Sequence, residues 1–233
     1  MANNDIMKLT NEDLRTLYLE DLTLPDETHG GRVKVRNRGP WEAIQPVYKT
    51  EPLTIDVFGD RDVWVWSDTH FGHNNIIKYC NRPYPSVDLM NFCLLGNYLN
   101  VVKPDDIVIF GGDVGFMSEN KINEVLDQMP GYKIQIVGNH DLHRSGKLYN
   151  LNFDERHLCM AVDVVDHDME YQLLFTHYPM TNVPRGCINV HGHIHQHTLD
   201  PWNINVSVEH TNYAPMNLKD VMERARIYIK GRM

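Results

Sequence analysis

Five short stretches of this chain carry residue types that bind metal ions. They are Asp68-Thr69-His70, Gly112-Asp113, Gly138-Asn139-His140-Asp141, Thr176-His177 and Gly192-His193-Ile194-His195. A lone Asp-x-His usually means a polar turn. Position sets these apart: each follows an apolar run of β type, so each stands where the chain leaves a sheet. Carboxylate and imidazole groups at such a place can turn into one pocket, and neither belongs on an apolar strand unless something uses it. Oxygen and imidazole donors without cysteine suit Mn, Fe, Zn or Ni better than Ca or Mg, and donor type alone does not choose among those four. Asp68, His70, Asp113, Asn139, His177, His193 and His195 together could hold two ions. Two divalent cations about 3.5–4 Å apart acidify a water between them and clamp phosphate oxygens, which overcomes the repulsion between a phosphoester and hydroxide. Glycines 112, 138 and 192 let the backbone turn sharply and approach closely.

The elements that must present these residues follow from periodicity. Residues 63–66, Val-Trp-Val-Trp, read as a buried strand leading into Asp68. A short helix is expected near 76–79. A longer one opens at Ser86, with Leu89, Phe92, Leu95, Leu99 and Val102 at steps of three and four on its buried face. The continuous apolar run 107–110 predicts a strand covered on both faces, ending at Asp113. Ser118 caps the next helix, with Ile122, Val125, Leu126 and Met129 inward and Pro130 beyond its end. Residues 133–137 form the strand before Asn139. This alternation predicts an α/β layered core. The second half turns β-rich, with strands at 161–165, 171–175, 188–190 and 203–208. A C-terminal helix from Asn217 buries Leu218, Val221, Ala225 and Tyr228 and stops at Gly231. Residues 1–50 read as an extension to a single domain at 51–233. The extension carries a helix start at Thr10 and a run in which Arg32, Lys34, Arg36 and Arg38 share one strand face. A further strand at 53–58 leads into a hairpin turn at Gly59-Asp60.

Composition narrows the class. The 233 residues, 42% hydrophobic, are enough for one good core. No apolar run is long enough to span a membrane, and the start lacks the basic-then-apolar order of a signal peptide. Four cysteines without Cys-x-x-Cys spacing predict reduced thiols, with Cys159 and Cys187 buried. Together these features favour the cytoplasm. A net charge of −9 opposes a general nucleic-acid-coating role. Bound cations would reverse the field locally, so an anionic substrate remains compatible.

In order and type, the five clusters resemble those of the calcineurin-like metallophosphoesterases. The stretch 67–84, the segment Asn205-Val-Ser-Val-Glu209 and the segment from Tyr213 to Leu218 resemble the small bacterial and phage branch. The resemblance implies a layered β-sandwich flanked by helices. It implies a binuclear metal-dependent phosphoric ester hydrolase, a phosphodiesterase or phosphatase, acting through hydroxide held between two ions. By this similarity Asp68 and His195, joined by His70, bind one ion. Asp113 bridges, and Asn139, His177 and His193 bind the second. His140 resembles the family's histidine that contacts the phosphate and can protonate the leaving oxygen, and Asp141 supports the site. Protein serine/threonine phosphatases continue their Gly-Asp with a further Asp-Arg-Gly. Here Gly112-Asp113 continues Val114-Gly115-Phe116-Met117, which lowers that reading. The partner is a phosphoester, with nucleotides and nucleic acid among the candidates. A nuclease or cyclic-nucleotide phosphodiesterase is the alternative enzyme, supported by the basic run at 32–38. A catalytically idle metallo-fold used for binding is the alternative of another class. Arg82 and Arg185 are candidates for holding a substrate phosphate. His73 and His197 lie beside the motifs, and His191 faces away from His193 or packs in the core.

Overall fold

The structure, a computed structural model, describes residues 61–166 and 169–230. The division at residue 50, the helix at Thr10, the basic run at 32–38, the strand at 53–58, the turn at Gly59-Asp60 and the stop at Gly231 lie outside the described residues.

Strands β1 (Val63–Trp66), β2 (Ile107–Phe110), β3 (Tyr132–Ile136) and β4 (Glu155–His157) run parallel, in the order β4-β3-β2-β1. A two-residue strand, β9 (Met216–Asn217), pairs antiparallel with the free side of β1. The second sheet contains β5 (Cys159–Asp166), β6 (Met169–Thr176), β7 (Cys187–His191) and β8 (Asn203–Asn205), in that order. There β5 and β6 are antiparallel and the other pairs parallel. Four α-helices are described: α1 (Asn74–Tyr79), α2 (Val87–Val101), α3 (Glu119–Leu126) and α4 (Leu218–Lys230). The described residues therefore form a mixed α/β fold with two mixed sheets. No described helix is long and apolar enough to cross a membrane.

Alternation along the strands sends side chains to two apolar layers. Val63 and Val65 of β1, Ile109 of β2 and Ile134 and Ile136 of β3 pack with Val162, Leu173, Phe175, Ile188 and Val190 of the second sheet. Leu218, Val221, Met222, Ala225 and Ile229 of α4 join that layer. Trp66, Val108 and Phe110 face the other way, against Phe71, Met90, Leu94, Tyr98, Ile122 and Leu126. Each such side chain contributes about 1.5–3 kcal/mol on burial. Both faces of β1 and β2 are thus covered, and the loops after them are held between packed layers.

Several expectations change. Helix α2 starts at Ser86, whose hydroxyl accepts the Leu89 N–H at 3.3 Å. Its buried stripe, however, is Met90, Leu94 and Tyr98. Leu89, Phe92 and Leu99 face outward, Phe92 at 75% exposure. The helix is apolar on two faces, so spacing alone does not say which one the sheet covers. Ser118 occupies the N-cap of α3, but its hydroxyl makes no capping bond. Of the inward stripe expected there, Ile122, Leu126 and Met129 are buried and Val125 is half-buried. In α4, Tyr228 is half-buried, while Met222 and Ile229 share its inner face. The strand expected at 203–208 ends at Asn205, and a 3-10 turn follows at Val208–His210. Cys159 is exposed, contrary to the expectation, while Cys80 and Cys187 are buried, and all four cysteines are free.

Candidate metal centre

The parallel strands deliver their C-terminal ends to one place, where α/β folds commonly bind ligands. Beyond β1 the chain is fastened to the loop beyond β2. Asp68 N–H donates to Gly112 O at 3.0 Å, His70 N–H to Asp113 O at 3.0 Å and Phe71 N–H to Val114 O at 2.9 Å. In the second sheet, Gly192 N–H donates to His177 O at 3.0 Å. The sheets join where Ser67 N–H donates to Val206 O at 3.1 Å and Val208 N–H to Ser67 O at 3.0 Å. His193 N–H also donates to both Asp68 carboxylate oxygens, at 3.1 and 2.9 Å.

Tight turns aim the side chains. Asp68, His70, Asp113, His193 and His195 all hold left-handed backbone, at φ 56°, 51°, 53°, 69° and 48°. They are five of the eight non-glycine residues with that geometry among the described residues. Each such conformation costs on the order of 1–3 kcal/mol, and such strain clusters at working sites. Gly112, at φ 102°, could not be replaced freely, because a Cβ there would meet Gly138 N and His177 Nδ1 at 2.7 Å. A Cβ on Gly192 would collide with Asp68 Oδ2 and Ser67 Oγ.

All seven expected ligands come together. Asp68, His70 and His195 bring one donor atom each within 4.8 Å of one another, and Asp113, His177 and His193 do the same. Asp113 stands between the groups, its Oδ2 3.6 Å from His70 Nε2 and 3.4 Å from His177 Nε2. Asn139 Oδ1 lies 3.0 Å from His177 Nε2. His177 Nδ1–H donates to Gly111 O at 2.8 Å, which leaves Nε2 as the atom that could ligate an ion. His70 Nε2 is buried with no hydrogen-bond partner while facing the Asp113 carboxylate. An orphaned imidazole nitrogen beside a carboxylate is what a cation between them would satisfy, so these residues fit divalent ions.

Without ions, protons supply the missing positive charge. Burial would push the Asp113 carboxyl up, but the His177 hydrogen bond and charge, with His70 and the His140 amide, hold it down to about 2. Burial would lower His177. Its hydrogen bond to Asp113 and the Asp113 and Asp68 charges raise it to about 9. Burial likewise opposes the protonation of His195, and Cys80, Glu209 and Asp68 outweigh it, to about 10. Asp68 itself is pushed up, chiefly by burial. His70 is held well below its usual range by burial, and His193 is lowered by burial and then by the His177 charge.

The supporting residues are equally specific. Asp141 is fully buried, and its carboxylate accepts from the backbone N–H of Gly138 at 2.7 Å, Asp113 at 3.0 Å and Val114 at 3.1 Å. It therefore braces two of the ligand loops. His140 is half-buried. Its N–H donates to Asp113 Oδ1 at 2.7 Å, and its ring lies 5.3 Å from that of His70. Arg82 does not present itself to a substrate phosphate. It is 4% exposed and donates to Asp68 O at 2.7 Å, Thr69 O at 2.8 Å and Glu209 Oε1 at 2.9 Å. Arg185 is exposed and lines an open hollow with Asn182, Val183 and Pro184. His73 touches the cluster, its Nδ1 3.4 Å from His70 Nδ1. His197 is exposed, and His191 is wholly buried with Nδ1 2.8 Å from Gly192 O.

Glu209 is the residue whose role the sequence reading missed. Its Oε1 lies 3.4 Å from His195 Nδ1, the carboxylate–imidazole pairing that fixes a ligand histidine's ring and tautomer. The Arg82 guanidinium and His195 hold its carboxyl low against the effect of burial. The one signal was its place at the end of the Asn205–Glu209 segment. Its partner Arg82 stands 127 residues away.

Fold and cluster together define a mixed α/β protein with an imidazole- and carboxylate-lined centre at the ends of its strands. The chain belongs to the family of the uncharacterized protein MJ1445 of Methanocaldococcus jannaschii. The two are 38% identical over 169 residues, which are 68% of this chain and 88% of that protein. Among solved structures, the protein of unknown function AQ665 from Aquifex aeolicus shares the fold, with a TM-score of 0.52 at 23% identity, over 70% of this chain and 99% of that one. No family model matches the chain.

Proposed function

We propose that this protein is a calcineurin-like, metal-dependent phosphoesterase that hydrolyses a phosphodiester or phosphomonoester at two divalent ions. The observation that carries the reading is the convergence on Asp113. Two ligand groups, Asp68-His70-His195 and Asp113-His177-His193, lie on either side of one carboxylate whose oxygen faces both His70 and His177. A pair of divalent ions there would acidify a water and neutralise phosphate charge. Two sheets sharing one apolar layer, with helices packed outside the first, support the layered sandwich of that superfamily.

The chain's own residues take distinct parts. Asp113 would bridge the ions, and the His140 N–H holds its other oxygen in place. Asn139 and His177 stand within hydrogen-bond distance and can share an ion. His140 has no place in either ligand group, and an imidazole can pass a proton near neutral pH, which suits it to protonate the leaving oxygen. The test is His140→Ala after reconstitution with Mn. Elemental analysis should find two ions per chain in both proteins. The variant should lose about 10²–10⁴-fold in rate on an ester with a poor leaving group, and much less on a nitrophenyl ester. A drop in metal content, or equal losses on both esters, would remove His140 from the acid role. No hydrolysis of any phosphoester by the ion-loaded protein would overturn the reading.

A further inference from the structure

Two half-exposed aromatic rings flank the metal centre. Phe116 lies flat on His73, with ring centres 4.3 Å apart and planes 21° apart, and edge-on to His140 at 5.4 Å. Both histidines gather round His70, at 5.3 Å each. Tyr178 lies 4.4 Å from the ring of His193 and 5.1 Å from that of His177. Phe116 therefore packs on the two histidines beside His70, while Tyr178 packs directly on His177 and His193. Each is 53% exposed. Tyr79, 68% exposed, adds a ring edge-on to His73.

These rings are held by their backbones. Phe116 N–H donates to Phe71 O at 2.8 Å, beside the Phe71–Gly115 bridge. The Thr176 hydroxyl donates to Tyr178 O at 2.6 Å. A large apolar ring fixed half in water forgoes part of the stabilisation of burial, and a ring on each flank of one polar cluster is placed to pack on a ligand held between them. Flat π faces beside a phosphate site match a nucleobase, which stands one sugar away from its phosphate. The chain is acidic overall at −9, so positive charge would be confined to the ions, which would hold the phosphate. Stacking, which is tolerant of base identity, would hold the bases.

Resting on the phosphoesterase reading, we infer that the centre takes phosphodiesters bearing a nucleobase on each arm, one base stacking on Phe116 and the other on Tyr178. The shared chemistry is a base–sugar–phosphate–sugar–base unit, whether it is a free dinucleotide or a step within a single strand.

Titration calorimetry on the Mn-loaded full chain tests this with hydrolysis-resistant phosphorothioate diesters. The probes are dithymidine phosphorothioate, its analogue with one base removed, and the fully abasic analogue. Each base should tighten Kd by roughly 5–150-fold, from the usual worth of a base stack. In Phe116→Ala and Tyr178→Ala the ratio of abasic to two-base Kd should fall by a similar factor each, while Phe116→Trp and Tyr178→Phe should retain it. A hexathymidine phosphorothioate that binds tighter than the dinucleotide by much more than about five-fold, the statistical gain from its five steps, marks a strand as the source, and a gain no larger than that marks a dinucleotide. Equal Kd for the two-base and abasic probes, no binding of either, or alanine variants that keep the ratio would overturn the inference. Hydrolysis of a small activated diester without base preference would leave the phosphoesterase reading intact while this one falls. Base-dependent binding with no hydrolysis under any metal would do the reverse.

Discussion

Asp113 and Asp141 stand 28 residues apart and meet in one hydrogen bond, with the Asp113 N–H donating to the Asp141 carboxylate. Their side chains serve different ends. The Asp113 carboxylate faces two histidines across the gap an ion would fill, whereas that of Asp141 is spent on three backbone N–H groups. Asp113→Asn should therefore strip metal and activity, and in the ion-free protein it should also cost stability near neutral pH, because it removes the charge that keeps His177 protonated. Asp141→Asn should cost about 1–3 kcal/mol of stability, because its amide must point an N–H at a backbone N–H. Urea unfolding and elemental analysis separate the two, and matching profiles would mean the bridging role is misassigned. The same cluster predicts a pH dependence. Without ions, His177 is held up to about 9 and His195 to about 10. Both carry protons at neutral pH and must shed them to bind, so apparent metal affinity should rise as pH climbs toward 9 and fall in acid. Calorimetry at pH 7 in buffers of different ionisation enthalpy should count about two protons released as the centre fills. No proton release would contradict that picture.

Helix α2 is the element where sequence and structure part. Met90 is fully buried and Phe92 is 75% exposed. Met90→Ala should cost about 2–5 kcal/mol, and Phe92→Ala should fall within about 0.5 kcal/mol of the parent. Thermal unfolding of both variants decides whether the covered face is the one described. The strands that carry the site were legible because each is an apolar run ending abruptly in ligand residues, a signal local to a few positions. β4 was not, since Glu-Arg-His has neither alternation nor apolar content and is a strand only through its pairing with β3. β9, two residues long, leaves no periodic trace. The ligands were likewise legible from type and position, while the clasp of Arg82, Glu209 and His195 was not, because its partners meet only after the fold closes.

On the scale of the whole molecule, each ligand group draws on both sheets. Asp68, His70, Asp113 and Asn139 follow strands of the first, and His177, His193 and His195 follow strands of the second. An ion held by this centre binds only the assembled pair. At a free concentration 100 times Kd it should add about 2.7 kcal/mol, or roughly 5–10 °C in melting temperature for a chain of this size. Scanning calorimetry of chelator-stripped and Mn-loaded protein tests this, and identical transitions would mean that ions do not tie the sheets together.

The hydrogen bond from His193 to the Asp68 carboxylate spans 125 residues of chain. On a ribosome adding about 5–20 residues per second, Asp68 emerges roughly 6–25 s before its partner. By the end of that interval the nascent chain holds two of the three donors of each ligand group. A stalled or truncated product that ends before β7 would carry Asp68, His70, Asp113, Asn139 and His177 but lack His193 and His195, and so lack one donor of each group. Metal uptake at this centre would thus mark the finished chain, and a pulse-labelled pool of metal-bound protein would measure completed synthesis instead of the mere presence of polypeptide.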